Sequence, residues 1–320
     1  MQNPPMHIHR DWRGLSPSAR GATVAMGNFD GVHRGHRAVI DAARAARPDA
    51  ALGIITFEPH PREYFAALAG RVEPPFRLMN AESRATRLAR HGVGQLYELP
   101  FGPHLAGLTP EDFALQVLAE GLGIAHVAVG EDFRYGRGRT GDAATLAEAG
   151  ARLGFGVTIV PLVCGGAEGR ASSTAIRTAL AEGRPRDAEA MLGHWHRIEG
   201  EVLHGEKRGR ELGFPTANMA VEGLHLPKLG VYAVEVDVLD GPDRGSYRGV
   251  ASLGVRPMFG ENAPNLETHI LDFSGDLYGR HLSVALVDYL RPEARFDSLD
   301  ALIAQMRADA AQARRILSAP

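Results

Sequence analysis

Two histidines three residues apart, His33 and His36, stand in the run Gly27-Asn28-Phe29-Asp30-Gly31-Val32-His33-Arg34-Gly35-His36. Imidazoles at that spacing share one face of a helical turn. They can donate hydrogen bonds to phosphate oxygens, and those bonds strengthen as charge builds up in a transition state. Gly27, Gly31 and Gly35 let the backbone approach a phosphate closely. A helix N-terminus adds free N–H groups and a positive dipole end. The same residues would also make a tight turn with two incidental histidines. The apolar run Thr23-Val24-Ala25-Met26 ahead of them favours the phosphate reading, because α/β domains bind ligands at strand C-termini.

Other stretches carry chemistry at the ends of elements. Arg170-Ala171-Ser172-Ser173-Thr174-Ala175-Ile176-Arg177 puts hydroxyls where a helix begins and a cation on its first turns. Such hydroxyls cap helices, and the same amides bind phosphate. The run GEDFRYGRGRTGD, residues 130–142, mixes aromatic, basic and glycine residues. It could stack a flat ring and neutralise phosphate, or form a plain surface loop. Phe57-Glu58-Pro59-His60-Pro61 is stiffened by two prolines. Thr216 and Asn218 stand two apart, so on an extended chain they face one side. A hydroxyl and an amide oxygen suit Mg²⁺, which keeps waters and phosphate oxygens as ligands; they are also common turn residues. Glu267, His269 and Leu271 alternate along LETHILDF. A carboxylate there is either a general base toward an alcohol or a solvated edge charge.

Positioning these groups takes two kinds of architecture. Strand-like runs at 23–26, 52–57, 95–99, 126–130 and 156–160 alternate with helical patterns at 36–46, 81–91, 110–120, 143–153 and 174–182. That rhythm predicts a parallel sheet with helices on both faces. Thr109-Pro110-Glu111-Asp112 supplies an N-cap, a proline at the first position and first-turn acids. Beyond about residue 190 the rhythm changes to short strands, at 231–239, 247–253, 266–272 and 282–290, separated by turn residues. This predicts a closed or nearly closed β structure. The tail 298–317 is amphipathic and helical, with Leu299, Leu302, Ile303 and Met306 on one face. The boundary falls near 185–195, around Gly183-Arg184-Pro185.

Composition excludes several classes. The 320 residues carry 35 Lys+Arg against 38 Asp+Glu, a formal charge of −3, so a dedicated nucleic-acid binder is not expected. The single cysteine, Cys164, rules out an internal disulfide or a multi-cysteine metal site. MQNPPMHIHRDW lacks the apolar core of a signal peptide, and no apolar run reaches the roughly 20 residues of a membrane helix. The expectation is a soluble cytoplasmic protein with no membrane partner. Oligomeric state is left open.

GNFDGVHRGH, FEPHP, GEDFRYGRGRTGD and SSTAIR together resemble the FAD synthetase module of the prokaryotic bifunctional riboflavin kinase/FAD synthetases, a nucleotidylyltransferase fold. GRELGFPTANM, LPKLGVYAVEV, GVASLGVRPMFG, LETHILDFSGDLYG and FDSLDAL resemble, in order, the riboflavin kinase module. The resemblance implies an α/β chain: a Rossmann-like parallel sheet over residues 1–188, then a Greek-key β-barrel with a C-terminal helix over 189–320. It implies ATP-dependent phosphorylation of riboflavin to FMN, then adenylylation of FMN to FAD with release of pyrophosphate, both with Mg²⁺.

By the same resemblance, Gly27, Asn28, Asp30, His33, His36, Ser173, Thr174 and Arg177 bind ATP in the synthetase. Phe65, Asp132 and Tyr135 hold its flavin. Gly205, Gly209, Arg210, Thr216 and Asn218 bind ATP in the kinase, with Thr216 and Asn218 at the metal and Glu267 as base. The chain departs from the common pattern at Ser252, Met258, Gly94 and Glu82-Ser83-Arg84, and Glu131 adds charge beside Asp132. Two rival readings, a chain with one retired module and a flavin-binding regulator without turnover, must contend with the intact HRGH and SSTAIR motifs and with Glu267.

Overall fold

The structure is a computed structural model that describes residues 6–163, 171–204, 214–256 and 263–318. The chain divides into two compact units, Met1–Glu73 with Ala81–Ala171, and Pro74–Asn80 with Ser172–Pro320.

The first unit is built on a six-stranded parallel sheet. Its strands are β1 (His7–His9), β2 (Thr23–Met26), β3 (Leu52–Glu58), β4 (Gln95–Pro100), β5 (His126–Gly130) and β8 (Gly156–Val160), in the order β1-β4-β3-β2-β5-β8. The short pair β6 (Arg134–Tyr135) and β7 (Gly141–Asp142) forms a separate hairpin. Helices α1 (Arg34–Ala46), α2 (Pro61–Leu68), α3 (Ala81–Arg90), α4 (Pro103–Gly107) and α6 (Ala143–Leu153) lie between the strands. So does α5 (Pro110–Asp112), which runs into a π-helix over Phe113–Leu122. Central strands are apolar almost throughout, as parallel strands covered on both faces must be: Val24, Ile54, Leu96 and Val127 are all fully buried. From β2 the chain goes to β3 and β4 on one side and later to β5 and β8 on the other. The turn after β2 therefore stands at the point where strand order reverses, the crevice used for ligands in open α/β sheets.

The second unit carries α7 (Ser173–Ala181) and α8 (Pro185–Leu192), then an antiparallel sheet. Its strands are β9 (His196–Glu201), β10 (Ala217–Ala220), β11 (Gly230–Val238), β12 (Gly245–Arg256), β13 (Ala263–Ile270) and β14 (His281–Arg291), in the order β10-β13-β12-β11-β14-β9. Beyond β9, Leu203 N–H donates to Asn218 C=O of β10 at 2.8 Å, so the two edges of the sheet meet and the barrel nearly closes. Met219, Tyr232, Val234, Leu253, Leu266 and Leu282 fill its interior. The C-terminal helix α9 (Leu299–Ser318) packs on the outside, across β11, β12 and β14.

The expected strands and helices recur within a few residues. At Gly183-Arg184-Pro185, where composition marks a boundary, proline opens helix α8 at its first position, and the compact units part earlier, at 171/172. Strands β1, β9 and β10 and helices α2, α4 and α8 are among the additions to the reading from sequence: β1 is too short to show periodicity, and the two prolines at the start of α2 read as loop.

Candidate active sites

The first site starts from the chain leaving β2. Gly31 takes φ +86°, and Phe29 and Val32 take φ 52° and 45°. Left-handed backbone is rare for a β-branched residue, so this turn is held by its surroundings. Gly27 N–H donates to Ile55 C=O at 3.1 Å, and Thr56 Oγ1 donates to Asn28 C=O at 3.3 Å, tying the turn to β3. His33 is then the N-cap of α1, its Nδ1 accepting from His36 N–H at 3.3 Å. Neutral His33 must therefore carry its proton on Nε2. The two rings stack with centroids 3.7 Å apart. Burial first, and the repulsion a protonated His33 would add second, hold His36 well below the usual imidazole range. His36 is thus a neutral donor at pH 7, and its enclosed Nδ1 has no hydrogen-bond partner among the described residues. Through one ring N–H, neutral His36 can donate to an anion.

Other expected residues of that reaction lie on different elements. Phe65, on α2, is exposed, with its ring edge-on to Tyr64 and Phe101 at 5.2 and 5.8 Å. His60 caps α2, accepting from Arg62 N–H at 3.1 Å, so FEPHP is a helix start. Tyr135, on β6, is buried between Phe113 and Phe133. Glu131 accepts from Leu162 N–H at 3.1 Å, and Arg134 pairs with Asp142 at 3.5 Å, so neither charge stands unengaged. Ser173, Thr174 and Arg177 are on α7, in the second unit; Ser172 Oγ caps that helix, accepting from Ala175 N–H at 3.2 Å. Arg177 donates to Phe76 C=O at 3.3 Å.

The second site lies on the outer face of the barrel. Strand β13 runs between β10 and β12, and register puts Glu267 directly opposite both Asn218 and Ser252. Opposite residues of an antiparallel ladder share a face. His269 bonds Pro215 C=O at 2.9 Å, which fixes the segment leading into β10. A cavity of about 520 Å³ opens here, lined by Thr216, Ser252 and Glu267 at the sheet and by Leu302, Met306 and Asp309 of α9. That volume suits a drug-sized heterocycle. Asn218 is 5% exposed, and its Oδ1 has no hydrogen-bond partner among the described residues. An enclosed amide oxygen with no partner among the described residues has the chemistry a hard cation takes, and the Thr216 hydroxyl stands two residues away in sequence.

Residues 15–175 match the FAD synthetase family and residues 192–317 the riboflavin kinase family. The chain is 42% identical over 321 residues to the bifunctional riboflavin kinase/FMN adenylyltransferase of Pseudomonas fluorescens, covering 98% of this chain and 99% of that one. It is 41% identical over 312 residues to the protein of the same description from Escherichia coli K12, covering 97% of each. The chain belongs to the bifunctional riboflavin kinase/FMN adenylyltransferase family. A crystal structure described as a macrolide-efflux protein from Streptococcus pneumoniae shares the fold at TM-score 0.82 and 30% identity, over 97% of this chain and 99% of that one. No helix among the described residues is long and apolar enough to cross a membrane.

As a member of that family, the chain has its synthetase module first and its kinase module second. Gly205, Gly209 and Arg210, expected at the ATP of the kinase, and the departure Met258 lie outside the described residues. The departure Glu82-Ser83-Arg84 gave no sign that Arg84 is buried on α3 and held by Glu98 at 2.7 Å and Glu58 at 3.2 Å. It ties α3 to Glu58 at the end of β3 and to Glu98 of β4. Nor did sequence motifs point to Arg291 and Asp309 at the barrel cavity. The one available signal was an aspartate on the apolar side of the tail helix.

Proposed function

We propose that riboflavin is phosphorylated in the barrel cavity and that FMN is adenylylated at the turn after β2. The observation that carries the kinase half is Glu267 on the wall of a heterocycle-sized cavity that also holds Thr216. There Glu267 takes the proton of the ribityl terminal hydroxyl as its oxygen attacks the γ-phosphorus of ATP, and ADP leaves. Thr216 and Asn218 hold the divalent ion, Mg²⁺, which supplies positive charge to the ATP phosphates. Gly205, Gly209 and Arg210 contribute backbone and charge to the same phosphates by motif.

In the synthetase half no side chain acts as nucleophile. A phosphate oxygen of FMN attacks the α-phosphorus of a second ATP, and pyrophosphate departs. His33 and His36 donate to the phosphate oxygens where charge accumulates, and the Gly27–Asp30 turn with Asn28 presents backbone to the chain of phosphates. Ser173, Thr174 and Arg177 supply further phosphate contacts. Phe65, Asp132 and Tyr135 engage the flavin. Mg²⁺ accompanies this ATP as well.

The functional boundary falls at 188/189, between the ends of the two family matches. Consumption of ATP to make a cofactor for soluble enzymes suits the cytoplasm. The full chain, given riboflavin and Mg-ATP, should yield FMN and then FAD on chromatography; given FMN alone, it should yield FAD. Absence of any flavin product across a series of divalent ions would overturn the reading.

A further inference from the structure

Asn265 lies two residues before Glu267 on β13, so both side chains leave the same face of the strand. It is 1% exposed, and its Nδ2 donates to Glu267 Oε1 at 3.3 Å. An ionised carboxylate only accepts hydrogen bonds, so the amide nitrogen must be the atom turned toward it.

Strand stability does not ask for asparagine here. Asparagine is depleted in strands, and an enclosed amide costs free energy wherever it is not bonded. Asn265 Oδ1 has no hydrogen-bond partner among the described residues. Its ladder partners are small, Ala220 on β10 and Gly254 on β12, and bond nothing to the side chain. A β-branched residue would favour the strand more. Local rules that fail beside a reacting group mark a functional constraint.

We propose that Asn265 is a positioning residue for riboflavin phosphorylation, its amide fixing the plane of the Glu267 carboxylate that receives the ribityl proton. This rests on Glu267 being the base. The terminal torsion of a glutamate is broad, and a hydrogen bond from the same strand narrows it. Because the amide is neutral, it orients the base without competing for the proton.

The test compares riboflavin phosphorylation by the full chain carrying N265A, N265V, E267Q or N265A with E267Q. N265A and N265V are expected to lower kcat about 10- to 100-fold, the worth of one hydrogen bond to a charged group. KM for riboflavin and for ATP should stay within about threefold, the pattern of a contact made in the transition state. Adenylylation of added FMN should be unchanged. In the E267Q background, N265A should alter the residual kcat by less than about twofold, since residues acting as one unit are not additive. N265V covers the case in which N265A folds poorly. Wild-type kcat in N265V overturns the proposal, and so does an N265A loss as large in E267Q as in the wild type. Wild-type kcat in E267Q would instead defeat the assignment of the base itself.

Discussion

Arg291, the last residue of β14, grips Asp309 of α9 with three hydrogen bonds: Nε to Oδ1 at 3.0 Å, Nε to Oδ2 at 3.1 Å and Nη2 to Oδ2 at 2.7 Å. Asp309 is 4% exposed and, with Ala313, is one of the two fully buried residues of a 20-residue helix. Arg291 also donates to Pro292 C=O at 3.0 Å and lies over the Phe296 ring at 5.8 Å. One guanidinium thus ties the helix and the segment before it to the barrel, and both partners line the barrel cavity. Removing one member of an enclosed pair leaves an uncompensated charge and costs about 3 kcal/mol. R291M should lower the thermal midpoint of the kinase module and raise the KM for riboflavin, while R291M with D309L should recover most of the stability. An unchanged thermal midpoint in R291M would show that the clamp carries no stability.

Much of this architecture was legible in the residues. Thr23–Met26 followed by GNFDGVHRGH reads as a strand, a glycine-rich turn and a helix start, and the structure has that order, with the left-handed φ of Phe29 and Val32 added. The Thr109-Pro110 start was read from its cap, and Thr109 Oγ1 does accept from Asp112 N–H at 3.1 Å. The continuation as a π-helix over Phe113–Leu122 reads from sequence as ordinary helix, since no cap or proline marks the change. The tail helix was read from Leu299, Leu302 and Met306, but that periodicity does not tell whether an apolar face fills a core or walls a cavity; here Leu302 and Met306 do the latter. Arg291 and Asp309 are 18 residues apart, and their pairing depends on where α9 lies across the barrel. Long-range placement of that kind is set by packing and carries no local signature.

The stacked histidines predict a separable defect. Neutral His36 can donate to a developing oxyanion, and losing one such donor costs about 100- to 1000-fold in rate. H36A should make FAD formation from added FMN fall by that factor. Riboflavin should still be converted, so FMN should accumulate in the product mixture. Equal loss of both activities in a folded H36A chain would contradict two independent sites.

The enclosed oxygen of Asn218 makes a prediction about metal. If it binds the ion with Thr216, N218A should raise the Mg²⁺ concentration needed for half-maximal phosphorylation by about tenfold, the scale seen when an orienting group at a metal is lost. Adenylylation of FMN should keep its metal dependence. A metal titration that superimposes on the wild type for both reactions would remove Asn218 from the metal site.

His196 opens β9 and is buried, with Nε2 lacking a hydrogen-bond partner among the described residues. Burial foremost, then the charges of His194 and His225, lower its pKa from 6.5 to about 3. In the unfolded chain the same imidazole takes up its proton near 6.5, so between pH 6.5 and about 3 the unfolded state binds more protons than the folded one. The contribution to stability is therefore complete above pH 6.5 and is lost as pH falls, amounting to about 2 kcal/mol at pH 5. H196L removes the titrating group. Denaturant unfolding of the wild type should show the kinase module weakened at pH 5 relative to pH 7.5, and H196L should narrow that difference by about 2 kcal/mol. If the wild type and H196L lose the same stability on acidification, His196 takes up its proton in the folded barrel as readily as in the unfolded chain and is not an enclosed neutral imidazole at pH 5.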